Sequence, residues 1–152
     1  VRSGQVSWEY RPFMLFPSDP AVFALLRCQG ATPFFHLAEQ LYATQAEWSG
    51  RLQTLSPERA QQLQNMAPSA QAAGIIEVTE LAPFFRQRGM PEARINSCLA
   101  DASGYERLAE TTRRGSQEDE VTGTPTFIIN GDKADVSDWP ALEQRLRAAI
   151  GG

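Results

Sequence analysis

Cys28, Cys98 and His36 carry the side chains of this sequence best suited to covalent or proton-transfer chemistry. A reactive thiol needs its thiolate stabilised, by a helix N-terminus, a nearby cation or a second cysteine in a Cys-X-X-Cys pair. Cys28 and Cys98 stand 98 − 28 = 70 positions apart, so they form no such pair and have no metal-ligand spacing. No metal site and no cofactor is expected. Taken by themselves, the two cysteines fit buried free thiols acting as small hydrophobes, a redox pair or a structural bridge. His36, between Phe35 and Leu37, has no nucleophile near it in sequence. It reads as a surface or partly buried histidine, not as a general base. No glycine-rich phosphate loop is present.

A second chemical feature is the stretch EVTGTPTFIINGDK, Glu120 to Lys133. Pro125 donates no backbone hydrogen bond, yet it stands directly before a run of strand formers. Proline is tolerated at the first residue of a strand or on an edge strand. The following Thr126–Ile129 run is β-branched and aromatic, and Asn130-Gly131 is a strong signal for a two-residue hairpin turn. The expectation is a hairpin of Thr126–Ile129 with a second strand over Lys133–Val136. On the hairpin alone a trans Thr124–Pro125 bond is expected, since cis is the minority form.

The remaining elements fall into three zones. In GQVSWEYRPF, Val6, Trp8 and Tyr10 alternate with polar residues, which predicts a strand ending at Pro12. From about residue 18 to residue 120 the pattern is helical. Asp19-Pro20 looks like an N-cap and first helical residue, with Gly30 closing the helix. Thr32-Pro33 opens a second, placing Phe34, Leu37, Ala38, Leu41, Tyr42 and Trp48 on one face and ending at Gly50. Ser56-Pro57 opens a third helix, through about Met66. A fourth is expected near residues 77–88, starting at Thr79 so that Pro83 falls in the first turn. Pro91 opens a fifth, with Ile95, Cys98 and Leu99, and a sixth spans roughly residues 103–119. The acids ending the run Arg113–Glu120 oppose the helix dipole, so fraying is expected there. The last zone is the hairpin, then Ser137 or Asp138 capping a final helix through Ile150. Phe34, Phe35, Tyr42 and Trp48 read as core, and so do Phe84 and Phe85, although adjacent aromatics cannot both face one core, which leaves one of the two able to line a pocket.

Composition narrows the function. The chain has 152 residues and a net charge of −4, which argues against a nucleic-acid surface. No apolar run approaches the roughly 20 residues of a membrane span. No leader segment is legible, as for a cytosolic or an already processed chain.

The order strand, helical block, hairpin, helix outlines an α/β thioredoxin fold with an inserted α-helical block. VTGTPTFIING, sharpest at Gly123-Thr124-Pro125-Thr126-Phe127, resembles the cis-proline segment of the DsbA-like thioredoxin-fold thiol–disulfide oxidoreductases. SGQVSWEYRPF resembles that family's second strand, with Pro12 departing from the acidic residue often found after the arginine. ALLRCQG, FFHLAEQLYATQAEW and CLAD resemble its helical insertion. The resemblance implies a thioredoxin-like part over residues 1–17 and 121–152 and an insertion over 18–120. It implies a cis bond before Pro125, with Gly123, Thr124 and Pro125 forming a substrate-binding ledge whose free backbone groups pair with an extended peptide. It also favours the structural bridge between Cys28 and Cys98.

The family's catalytic Cys-X-X-Cys and the strand before it have no counterpart here. The catalytic residues are therefore unknown, and the chain is expected to be a fragment, inactive by itself. The implied partners are cysteine-containing exported proteins and a redox partner protein, in the periplasm or outside the cell. A non-catalytic binding module and a glutathione-dependent isomerase on the same fold are the alternatives.

Overall fold

A computed structural model describes residues 4–136 and 138–151. They divide into two compact units, one of residues 14–109 and one of the described residues on either side of that range.

The first unit is helical. It holds α1 (Asp19–Cys28), α2 (Ala31–Ala43), α3 (Gln45–Gln53), α4 (Pro57–Gln64), α5 (Pro68–Thr79), α6 (Leu81–Gln87) and α7 (Glu92–Leu99), and α8 (Ala102–Gln117) begins in it. Its core gathers Ala21, Val22, Leu25 and Leu26 of α1, Ile75 and Ile76 of α5, Phe85 of α6, Met90, and Ile95 of α7, all essentially out of water. α1 and α5 each pack on several neighbours, so they form the spine of this unit.

Helix boundaries differ from the sequence reading where side chains compete for backbone groups. Ser18, not Asp19, precedes α1, because the Asp19 carboxylate instead accepts the amides of Leu15 and Phe16 at 2.7 and 2.8 Å. α2 starts at Ala31, after Gly30 at φ 88°. The second expected helix is two: the chain breaks at Thr44, whose hydroxyl bonds the Leu41 carbonyl, and Gly50 lies inside α3. α5 was not expected. Pro68 opens it as Pro57 opens α4, but Ala67 offers no capping oxygen to announce it. Thr79 ends that helix instead of starting one, its hydroxyl turned back to the Ile75 carbonyl at 2.7 Å, and Glu80 at φ 55° makes the break to α6. α4 and α9 (Trp139–Ala149) are capped as expected, by Ser56 accepting from Arg59 N and Asp138 accepting from Ala141 N. Ser137 lies outside the described residues. α8 stops at Gln117, where Arg114 pairs with Glu118 at 3.0 Å.

The second unit contains the end of α8, the hairpin and α9. The hairpin is β1 (Phe127–Ile129) and β2 (Asp132–Ala134), antiparallel, with Phe127 opposite Ala134 and Ile129 opposite Asp132. Asn130 and Gly131 both have positive φ, 55° and 96°, as a type I′ turn demands. β2 ends at Ala134, short of the expected Val136, since only Asp132–Ala134 have partners on β1. The strand expected over residues 6–12 does not form. No strand among the described residues pairs with it, and Trp8 stays 51% exposed. An alternating pattern makes a strand only when a neighbour takes up its ladder groups.

The aromatic cluster on α2 and α3 also divides. Phe34 and Trp48 are buried, and the Trp48 indole donates to the Leu41 carbonyl at 3.0 Å. Phe35 and Tyr42 face out. The break at Thr44 explains Tyr42, because the face is not continuous across it.

Candidate functional site

In the segment joining α8 to β1, the stretch from Glu120 to Thr126 is tied by three bonds, each closing on a backbone carbonyl. The Val121 amide donates to the Gly115 carbonyl at 2.9 Å. Gly115 is buried against Phe13, whose ring lies 3.3 Å from where a Cβ would stand. The Glu120 backbone is left-handed, φ 51°, and its carbonyl accepts from the Lys133 ammonium at 2.7 Å. The Thr126 hydroxyl donates to the Gly123 carbonyl at 2.7 Å. Between these ties lie Gly123, Thr124 and Pro125. The Thr124–Pro125 peptide bond is cis.

Thr124 and Pro125 are exposed. The Thr124 amide, carbonyl and hydroxyl have no partner among the described residues. A Cβ added at Gly123 would meet nothing within 4 Å. So the structure brings the three sequence-expected residues into one turn, half-buried at Gly123 and exposed at Thr124 and Pro125, with an open backbone donor and acceptor. At the start of that segment Asp119 pairs with Arg11 at 3.2 Å, and Arg11 also binds Glu9 at 2.9 Å. The hydrogen bond and then the charge of Arg11 hold the Glu9 carboxyl below its ordinary range. Sequence reasoning did not single out Lys133 or Thr126 as ties. The Thr126 bond had a signal, since a threonine hydroxyl commonly reaches the carbonyl three residues back. The Lys133 bond depends on the fold alone.

Cys28, closing α1, and Cys98, on α7, are joined by a disulfide, with α-carbons 6.1 Å apart. The Arg94 guanidinium donates to the Cys28 carbonyl at 2.8 Å, a second tie between the same helices. Both cysteines are half-buried. No free cysteine and no cluster able to hold a metal ion occurs among the described residues. His36 is exposed and pairs with Gln40, which in turn accepts from Arg88. The Arg88 guanidinium lies 3.6 Å over the centre of the Phe84 ring, so Phe84 carries a cation instead of lining an empty pocket. No helix among the described residues is long and apolar enough to cross a membrane.

A family model described as Thioredoxin matches residues 1–150. The chain belongs to the thioredoxin family. It shares the thioredoxin-like fold with a solved protein-disulfide isomerase from Novosphingobium aromaticivorans: the TM-score is 0.85 at 26% identity, over 93% of this chain and 73% of that one. No curated protein matches. Within the thioredoxin family this is a mostly helical member, with its hairpin and last helix at the C-terminal end.

Proposed function

We propose that the chain is a thiol–disulfide oxidoreductase or isomerase domain of the DsbA-like kind. Gly123, Thr124 and Pro125 hold a cysteine-containing substrate, and the setting is periplasmic or extracellular. In this reading residues 1–17 and 121–152 supply the thioredoxin-like part and residues 18–120 the helical insertion. The observation that carries it is the open amide and carbonyl of Thr124 on an exposed, tied turn of a thioredoxin-family chain. An extended peptide adds to such a donor–acceptor pair as it adds to a sheet edge. The bridged Cys28 and Cys98 support an oxidising compartment, where disulfides persist.

The chemistry is exchange. One thiolate attacks a substrate disulfide, a mixed disulfide forms and the departing sulfur takes a proton. A second thiolate then displaces the substrate sulfur, so the enzyme dithiol is oxidised as the substrate is reduced. Run in reverse, the same steps oxidise the substrate. These 152 residues contain no Cys-X-X-Cys. The reacting pair therefore comes from outside them, on the same polypeptide or on a partner. That same observation favours a second reading, a binding module that docks peptides without reacting.

Nuclear magnetic resonance titration tests the ledge. The probe is an extended 12-residue peptide carrying one S-methylcysteine. Thr124 and its neighbours should shift. Gly123→Leu, whose side chain enters open space, should keep the fold and block the peptide. Unchanged binding by Gly123→Leu would move the docking site elsewhere.

A further inference from the structure

We propose that Thr126 is a positioning residue for peptide docking, acting through the carbonyl of Gly123. This rests on the docking reading above and adds to it the side chain that sets the ledge's geometry. The turn Gly123-Thr124-Pro125-Thr126 has two kinds of backbone group. The Gly123 carbonyl is taken by the Thr126 hydroxyl at 2.7 Å, while the Thr124 amide and carbonyl are open. Gly123 has no side chain to restrict its backbone, and a Cβ added there would meet nothing within 4 Å. Without a tie, the Gly123–Thr124 peptide unit could rotate, and the Thr124 amide belongs to that unit.

The hydroxyl pins the carbonyl half of the unit, so the amide half holds one direction. An extended peptide pairing with Thr124 then meets a donor already aimed. The ordering cost of the turn is met on folding instead of on binding, which is how preorganisation raises affinity. Half-burial of Thr126 and Gly123 shelters this bond from competing water. Thr126 itself does not touch the peptide in this arrangement.

The test uses the 152-residue chain and the same S-methylcysteine peptide, with affinity read by magnetic resonance titration and folding by thermal unfolding. Thr126→Val keeps the β-branched shape and removes the donor. It should weaken peptide binding about fivefold, the loss of one ordinary hydrogen bond, and the Thr124 amide should exchange faster with solvent. Thr126→Ser keeps the donor and should bind within about twofold of the unaltered chain. A purely structural role would not be rescued in that selective way.

Wild-type affinity in a folded Thr126→Val chain, with Gly123→Leu still unable to bind, overturns the positioning role and leaves the ledge standing. Failure of the unaltered chain to bind overturns the docking reading, and this inference with it. Should Thr126→Val unfold, Thr126→Ser decides: a folded serine variant that binds as poorly as Gly123→Leu overturns the role.

Discussion

Tyr105 of α8 shows how one side chain carries a pH response. Its hydroxyl donates to the Leu99 carbonyl at 2.8 Å. Burial, and then the nearby charge of Asp101, push its phenol up to about 12. In the unfolded chain the phenol titrates near 10. The folded value is the higher one, so the stability linked to the protonated phenol is complete below about pH 10 and is lost as pH rises towards about 12. Tyr105→Phe should cost about 1 kcal/mol at neutral pH, the value of one hydrogen bond. It should also flatten the decline between about pH 10 and 12. Urea midpoints at pH 7 and pH 11.5 test both parts, and an unchanged alkaline slope in the variant would locate the response in another group. At the same scale, Lys133→Met should free the Glu120 carbonyl. The ammonium is exposed, so the loss should stay below about 1 kcal/mol.

Among the elements, α1 and α7 are fastened twice, by the Cys28–Cys98 disulfide and by Arg94 on the Cys28 carbonyl. The bridge spans a sequence separation of 70. In the chain-entropy account, closing such a loop is worth about 4 kcal/mol. Replacing both cysteines with serine should lower unfolding free energy by about that amount. Denaturant titration checks it, and a change under about 1 kcal/mol would mean that the helices hold each other without the bond. The sequence showed both helices through their proline starts: Pro20 after Asp19 for α1, Pro91 before Glu92 for α7. It concealed α5 because Ala67 cannot cap. It also suggested one long helix where Thr44 makes two, since a side chain bonding its own backbone leaves the apolar spacing unchanged. The strand expected over residues 6–12 misled for a different reason. Alternation reports which side chains could share a face, whereas a ladder needs a partner, which no local pattern supplies.

At the scale of the whole molecule, the family resemblance was legible in the order strand, helical block, hairpin, helix, and sharpest in five residues, Gly123 to Phe127. The ledge's geometry was legible less fully. Thr124 was read as a docking residue, but of the two side-chain bonds beside it only that of Thr126 to the Gly123 carbonyl had a local signal, whereas that of Lys133 to the Glu120 carbonyl depends on the fold. The missing dithiol gives a direct expectation. The 152-residue chain alone should not speed the reduction of insulin by dithiothreitol above background. Neither Cys28 nor Cys98 is free, and no second thiol stands three positions beyond either to resolve a mixed disulfide. A Cys-X-X-Cys segment supplied in cis or as a separate chain should confer activity. Turnover by the chain alone, abolished by Cys28→Ser, would make the bridged pair the catalytic one.

Lys133 is the sole lysine in the sequence, and it lies in the middle of β2, paired across from Ile128. A lysine-specific protease therefore has one peptide bond to cut, between Lys133 and a buried Ala134. While the hairpin stays zipped, that bond cannot enter a protease cleft, so each cut records one opening of β2 from β1. The products, residues 1–133 and 134–152, are not linked by the disulfide and separate on a denaturing gel. The molecule thus carries its own stopwatch for the hairpin beside the ledge. Peptide that stabilises the closed turn should slow it, with no label added.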